Sequence, residues 1–489
     1  MGIVLRQSFS NTLVTYLGFG IGALNTLFLY TRFLTEEYYG LVGVILSTSA
    51  ILMPLLAFGV PNTLVKYYSG FKDPKESDSF LTLMLVLPVI LILPAVAITY
   101  FAHGAIADFL SEENAIVEGY VWYIFLIGVA MAYFEVYYAW ARIQMRSVFG
   151  NFMKEVFVRL LVSLLLGLIF FDMIGPDFFL KCLVGTYILR MVIMNCYAFK
   201  VRRPHFSFTF PKNTRAVIVY SSLIILGGSA AVILLEIDRF MINQFIEIEN
   251  VAYYSVAIFI ATVVAVPSRS MHQITYPLTA ELLNRKDMGE LRRLYEKSSL
   301  TLFIVSGLLF LLIVLNLNDL YLLLPEAYRD GFLVVTLIGI AKVYDALLGN
   351  NNAILYNSDH YRSLLIMGLV LALCTILFNM WLIPLYGLNG AAFATFLAIF
   401  IYNGLKLGYV FIKFHMQPFT WETFKVTMLL LLLVALLYPL DFDFHPILNI
   451  LLKSILMVSM YIGILYRFRI SEDVFKLLSQ FFKGNKNPK

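Results

Sequence analysis

The sequence predicts an all-α polytopic membrane protein of about fourteen transmembrane helices, arranged as two pseudo-symmetric six-helix bundles plus two C-terminal helices. Three observations predict it. Hydrophobic residues make up 60% of the 489 positions and charged residues only 14%, with a mean hydropathy of +0.82; a soluble chain carries roughly a quarter charged residues. The stretches between charge clusters are long enough to cross about 30 Å of hydrocarbon, which takes roughly 20 residues. They are also apolar all round rather than alternating with period two, so helices and not barrel strands satisfy their backbone groups.

In chain order the expected spans cover 11–33, 41–65, 80–102, 119–141, 155–172, 178–199, 215–237, 251–271, 299–317, 332–354, 362–382, 388–412, 424–440 and 446–466. The first is too long for a signal-peptide core and has no Ala-x-Ala site, so it reads as a retained helix. Orientation follows from loop cations. With the N-terminus inside, the inner loops hold Lys66, Lys72, Lys75, Arg142, Arg146, Lys154, Lys200, Arg202, Arg203, Lys212, Arg215 and the cluster from Arg269 to Lys297. The outer loops are short and acidic, at Glu36-Glu37, Asp108 to Glu113, Glu247, Glu249, Asp441 and Asp443. Both termini then fall in the cytoplasm. Trp122, Trp140 and Trp421 read as interfacial belt residues.

Two inner segments are amphipathic rather than spanning. Residues 284–296 place Met288, Leu291, Leu294 and Tyr295 on one helical face, and 471–483 do the same with Val474, Leu477, Leu478, Phe481 and Phe482. Ser471 is the N-cap expected for the second. Both are expected to lie on the inner membrane surface. Cys182, Cys196 and Cys374 sit in apolar stretches without metal or disulfide spacing and read as small core residues.

An Arg-Phe-apolar phrase followed by tyrosine and a small residue occurs twice, as Arg32-Phe33-Leu34 … Tyr38-Tyr39-Gly40 and Arg239-Phe240-Met241 … Tyr253-Tyr254-Ser255. The spans after each copy contain proline, Pro54 and Pro61 against Pro267, and end near Lys66 and Arg269. Spans six and twelve share Gly185-Thr186-Tyr187 and Ala394-Thr395-Phe396, and each carries a cation, Arg190 and Lys406. The expected organisation is therefore an N-terminal bundle at 1–212, a second bundle at 213–415, and two extra helices with a cytoplasmic tail at 416–489. Parallel repeats of this kind commonly move cargo through the seam between them.

Ionisable residues inside the membrane are costly and mark pathways. The candidate substrate-binding cations are Arg190, Lys342, Arg159 and Lys406. Arg190 has no acid within four residues. Arg159 follows Glu155 by four and Lys342 precedes Asp345 by three, so structural pairing competes with function at both. Asp345 and Glu135 are the candidate coupling acids. Arg32, Arg239, Asp238 and Glu236 form a candidate outer gate. His272 reads as solvated. The embedded set is net positive, which suits anionic cargo and argues against a site for cations.

The stretches Glu236-Ile-Asp238-Arg239-Phe-Met, Ala252-Tyr-Tyr254-Ser-Val-Ala257, Pro277-Leu-Thr-Ala280-Glu281 and Ile383-Pro384-Leu-Tyr-Gly387-Leu-Asn-Gly390-Ala-Ala392 with Ala394-Thr395, together with Thr31-Arg32-Phe-Leu … Tyr39-Gly40, resemble the Wzx-type polysaccharide flippases. These belong to the multidrug/oligosaccharidyl-lipid/polysaccharide exporter superfamily. The resemblance covers nearly the whole chain. Tyr253-Tyr254 departs from it, since the family commonly has Gly-x-Tyr there. It implies a lipid-linked oligosaccharide, typically on undecaprenyl pyrophosphate, turned from the inner to the outer leaflet of a bacterial cytoplasmic membrane. It also implies a polysaccharide polymerase and glycosyltransferases as partners. A proton- or sodium-coupled drug or metabolite antiporter and a lipid-linked peptidoglycan precursor flippase are the alternatives. No nucleotide-binding motif, metal-ligand spacing or outer catalytic cluster is present in the sequence, so no enzyme, resident cofactor or nucleic-acid partner is expected; an ion gradient or the membrane potential is left as the driver.

Overall fold

The computed structural model describes residues 2–471 except 72, 208, 210–212 and 443. Lys72, Lys212, Asp443 and the expected tail helix after Ser471 lie outside the described residues. Within them the regular structure is helical: α1 Gly2–Leu24, α2 Glu36–Leu56, α3 Val60–Tyr67, α4 Pro74–Phe101, α5 His103–Leu110, α6 Val121–Ile143, α7 Val158–Phe170, α8 Pro176–Val201, α9 Thr214–Phe245, α10 Glu249–Thr262, α11 Val266–Asn284, α12 Met288–Val314, α13 Leu317–Leu322, α14 Phe332–Leu347, α15 Asn351–Asn357, α16 Tyr361–Phe414, α17 Trp421–Leu437 and α18 Pro446–Arg467, with short turns of helix between some of them.

Nine helices among the described residues are long and apolar enough to cross a membrane, or ten when the bent pair Glu326–Leu347 and Asn351–Asn357 counts as one span. α7 and α17 fill expected span positions but are shorter, at 13 and 17 residues. α16 takes two expected positions at once. It breaks at Gly387, where φ is +56° and ψ −133°, a backbone that glycine adopts without penalty. A Cβ on Gly390 would lie 2.0 Å from the Leu382 carbonyl oxygen. Eight residues of straight helix span about 12 Å, so the chain doubles back here without a loop. The second expected span also breaks, at Gly59 (φ +64°), before α3 begins with Pro61 in its first turn.

The chain divides into two compact units. The first comprises Met1–Ser255 and Thr375–Ala391, the second Val256–Cys374 and Ala392–Lys489. This division follows packing; the repeat boundary expected at 212/213 is a matter of sequence likeness and stays an expectation.

In the first unit α2 packs against both α6 and α9, and α6 against α8. Small residues let the backbones close up, as membrane helices require: a Cβ on Gly40 would lie 2.1 Å from the Ile248 carbonyl oxygen, and one on Gly43 2.7 Å from Val251. Trp140, Phe80, Leu64 and Met84 form one core cluster. Trp140 is therefore not a belt residue. It is fully buried, and its Nε1 donates to the Arg202 carbonyl at 3.2 Å. Buried amides cross-link other helices: Asn114 donates to the Asn243 and Ile246 carbonyls and accepts from the Ile248 N–H, while Asn243 donates to the Leu110 carbonyl.

In the second unit α12, α17 and α18 share a core of Leu311, Leu433, Met457 and Tyr461. The amphipathic segment at 284–296 is not a separate surface helix. From Met288 it is the start of α12, and Leu291 and Tyr295 are fully buried against Ile354, Leu355, Val410 and Met416. Protein covers Leu291 and Tyr295 of its apolar face, while Met288 stays exposed. Cys196 is exposed rather than a core residue.

Lys453, a cation in the last span, pairs with Asp319 at 3.0 Å and Asp441 at 2.9 Å, and Asn449 also donates to Asp319. Removing one partner of a buried pair strands the other charge. Lys453→Ala is expected to destabilise the second unit by about 2–4 kcal/mol, and adding Asp319→Asn should recover most of that loss in thermal melts. The Lys453 ammonium also holds the exposed Asp441 carboxyl below its ordinary range. With the folded value depressed, that contribution is present at neutral pH and fades as pH falls through it. Exposure keeps it small.

Candidate functional site

Arg190 sits on α8 and is 7% exposed. Its guanidinium lies over the Phe134 ring at 4.2 Å and the Tyr187 ring at 4.8 Å. Among the described residues it makes no ion pair, and its buried Nε has no hydrogen-bond partner. Glu135, next to Phe134 in the chain, is held by Lys154 at 2.6 Å. A guanidinium cannot shed its charge. Ring faces attract it, but they leave its in-plane donors open to an anion.

Arg159 is built differently. It pairs with Glu155 at 3.0 Å. Both facing chain segments are widened into π-turns there, Asn25–Leu29 after α1 and Met153–Phe157 before α7, a feature often found at functional sites. Asn25 donates to the Arg159 carbonyl and accepts from Ser163. Gly18 and Gly22 make room on α1: a Cβ at either would stand 2.8 or 3.2 Å from the guanidinium. The G-x-x-x-G spacing of these two glycines was visible in the sequence as the signal of a close approach.

The second copy of the repeated phrase forms one cluster in the first unit. Arg239 donates to Glu236 at 2.6 Å and to the Ser255 hydroxyl at 2.9 Å. Asp238 is 2% exposed and accepts from the Tyr254 hydroxyl and, at 2.8 Å, from Asn379. Asn379 is fully buried, and its Oδ1 has no partner among the described residues. Arg32, in the first copy, is exposed with its guanidinium 6.0 Å from the Phe28 ring.

In the second unit Asp345 makes its ion pair with Lys406 of α16 at 3.5 Å, rather than being tied only to Lys342 on its own helix. Lys342 and His272 also place charge near Asp345. Lys406 is 1% exposed, donates to Asn352 Oδ1 at 2.9 Å and lies 4.3 Å from the Tyr402 ring. It is buried, so it does not reach for headgroups. His272 is half-buried, with its Nε2 3.4 Å from the Gly349 carbonyl oxygen, and so is not simply solvated. Asn403, one helical turn before Lys406, is fully buried with both amide atoms unpartnered among the described residues. The polar residues missed in the sequence are mainly asparagines, which carry no charge to draw attention in an apolar run.

A family model described as polysaccharide biosynthesis protein matches residues 4–283. No curated protein matches the sequence. Among solved structures, the chain is similar to the lipid II flippase MurJ in its inward closed conformation, with a TM-score of 0.72 at 13% identity, covering 96% of this chain and 100% of that one. An inward-facing MATE-family multidrug resistance transporter gives 0.61 at 14% identity, with 83% and 94% covered. A superfamily transporter from Pyrococcus furiosus Vc1 (DSM3638), noted for a binding pocket of reverse polarity, gives 0.55 at 15%, with 84% and 95% covered. Identities this low establish the fold alone. By the family match, which spans more than half its length, the chain belongs to the polysaccharide biosynthesis protein family, and it has the fold of the MurJ and MATE transporters.

Proposed function

We propose that this protein is a flippase that moves a lipid-linked oligosaccharide, carried on undecaprenyl pyrophosphate, from the inner to the outer leaflet of a bacterial cytoplasmic membrane by alternating access. The observation that carries this reading is Arg190: a buried, permanently charged fork with no contact ion pair among the described residues, and with Glu135 and Glu155 acting on it only from a distance. Most other embedded cations are already matched, Arg159 by Glu155, Arg239 by Glu236, Lys406 by Asp345 and Lys453 by Asp319. Arg190 is thus the residue to which a pyrophosphate adds the most, through bidentate charge-assisted hydrogen bonds. The sugars follow the headgroup, and the polyprenyl tail stays in lipid. Both termini lie in the cytoplasm. A polymerase and glycosyltransferases act on either side of the step.

For coupling, Asp238 joins Asp345 and Glu135 as a candidate acid: it is buried, and the Tyr254 hydroxyl and the Asn379 amide donate to it. Ionisable groups at such depth mark ion pathways. Asp238→Asn is expected to remove the dependence of transport on the ion gradient while headgroup binding persists; unchanged gradient dependence would rule Asp238 out.

The direct test is movement of a fluorescent lipid-linked sugar between leaflets of proteoliposomes. If Arg190→Ala and Lys342→Ala both transport at the normal rate, the cationic-site account fails. The match along the full length of the lipid II flippase chain favours one second reading, a peptidoglycan precursor as cargo. Replacement of a depleted essential precursor flippase by this gene separates the two.

A further inference from the structure

The bent span of the second unit breaks at a place suited to positive charge. α14 and α15 meet at 57°, with Gly349 at φ +51° between them. Neighbouring helices fix the break. The Ser299 hydroxyl of α12 donates to the Leu347 carbonyl, and Asn350 donates to the Thr279 hydroxyl of α11. A Cβ on Gly349 would lie 2.6 Å from the Ser299 nitrogen, so the break is packed closely around glycine. The C-terminal end of a helix carries partial negative charge, and Asp345 adds a full charge in the last turn of α14. Broken helices in transporters use such ends to coordinate small cations.

The group that sits at this break is the chain's own ammonium. Lys406 comes from the part of α16 that belongs to the second unit. Its Nζ lies 3.5 Å from Asp345 on one arm and donates to Asn352 Oδ1 at 2.9 Å on the other. The Tyr402 ring, one turn back on α16, has its centre 4.3 Å away. A carboxylate, an amide oxygen and a ring face together make a shell for an ammonium ion. A plain ion pair needs only the first of them. The two charged partners are also unequally placed. The Lys406 side chain is 1% exposed, whereas that of Asp345 is 39% exposed. An open carboxylate on a spanning helix faces water rather than lipid. The shell therefore has a mouth at Asp345 and a tethered charge inside it.

We propose that the break between α14 and α15 is a cation site whose occupant is built in: the Lys406 ammonium stands where a small free cation would bind, and keeps free cations out. Lys406 is then the residue that sets the charge specificity of the second unit. It balances Asp345 whatever ions surround the protein, and it ties the two arms of the broken span through one point. Lys342 and His272, which also place positive charge near Asp345, act in the same sense at the mouth. The site does not depend on the flippase reading, since it concerns which ion the second unit accepts and not which lipid is moved.

The test empties the site and refills it. Lys406→Ala removes the tether, and propylammonium supplies the missing charge; 1-propanol, similar in shape but uncharged, is the control. In thermal melts of the purified full-length protein, propylammonium should stabilise Lys406→Ala in a saturable way. It should bind that variant about ten- to a hundredfold tighter than the parent, the worth of one charge-assisted hydrogen bond. 1-Propanol should give no such response, and neither should the double variant Asp345→Asn/Lys406→Ala. If Lys406→Ala is too unstable to purify, propylammonium present throughout extraction should recover it. A Lys406→Ala protein that responds to the amine neither in melts nor during extraction overturns the site. An equal response in the parent or in the double variant overturns it as well, because the amine then binds elsewhere. Amine binding by Lys406→Ala in a protein whose parent flips no lipid-linked sugar would sink the flippase reading and leave this site intact.

Discussion

Arg190→Ala is expected to cut flipping of a lipid-linked sugar by about thirty- to a hundredfold, the loss of roughly 2–3 kcal/mol of charge-assisted contact. The same substitution is expected to leave the protein as stable as before, or more so. Arg190 strands no polar partner when it is removed, because its neighbours are the Phe134 and Tyr187 rings. What disappears is a buried charge offset by ring faces and, from a distance, by Glu135 and Glu155, and apolar replacements of buried charges are often neutral or stabilising. The two readouts must therefore move apart. Leaflet assays in proteoliposomes give the rate, and thermal melts of the same preparations give the stability. A variant that loses activity only in proportion to its folded fraction would mark Arg190 as structural. Arg190→Lys should recover little, since a single ammonium cannot copy the planar fork.

The opposite pattern is expected at Gly40. Its missing Cβ faces the Ile248 carbonyl oxygen at 2.1 Å. That atom belongs to the backbone at the start of α10, so it cannot swing aside as a side-chain tip does. Gly40→Val must push α2 away from α10 and open the packing around Tyr39 and Val42, both nearly fully buried. A cost of about 3 kcal/mol or more follows from overpacking against rigid atoms. The variant should show a lowered melting temperature and poor recovery from membranes, with activity lost in step. Gly104, with nothing within 4 Å of its missing Cβ, is the control: Gly104→Ala should change little. If Gly40→Val melts like the parent, the close approach of α2 to α10 is wrong.

What the sequence made legible was local. Apolar runs give helices because lipid leaves the backbone no other way to satisfy itself, and each expected span falls on helix. The isolation of Arg190 was also readable, because any partner on its own helix had to lie within four residues. The tertiary partners were not readable. Asp345 meets Lys406 across 61 positions (406 − 345), and Asp238 meets Asn379 across 141. Neither distance leaves a periodic trace. Trp140 was misplaced for a related reason: a tryptophan near a span end looks the same in sequence whether its ring meets headgroups or, as here, a core of Phe80 and Met84. The 284–296 segment had the amphipathic pattern of a surface helix, but that pattern specifies an apolar neighbour without saying whether it is lipid or protein.

The hairpin around Gly387 bears on the order of biosynthesis. Thr375–Ala391 belongs to the first compact unit although 119 residues of the second unit (256–374) are made before it. A ribosome that has finished Ser255 has not yet supplied Asn379, so the Asp238 carboxylate enters the bilayer without that donor. The packing of the first unit is complete only once residues up to Ala391 have emerged. A gene split after Ser255 would encode a first fragment that is never complete by itself. Co-expression of the two fragments should then restore what neither yields alone.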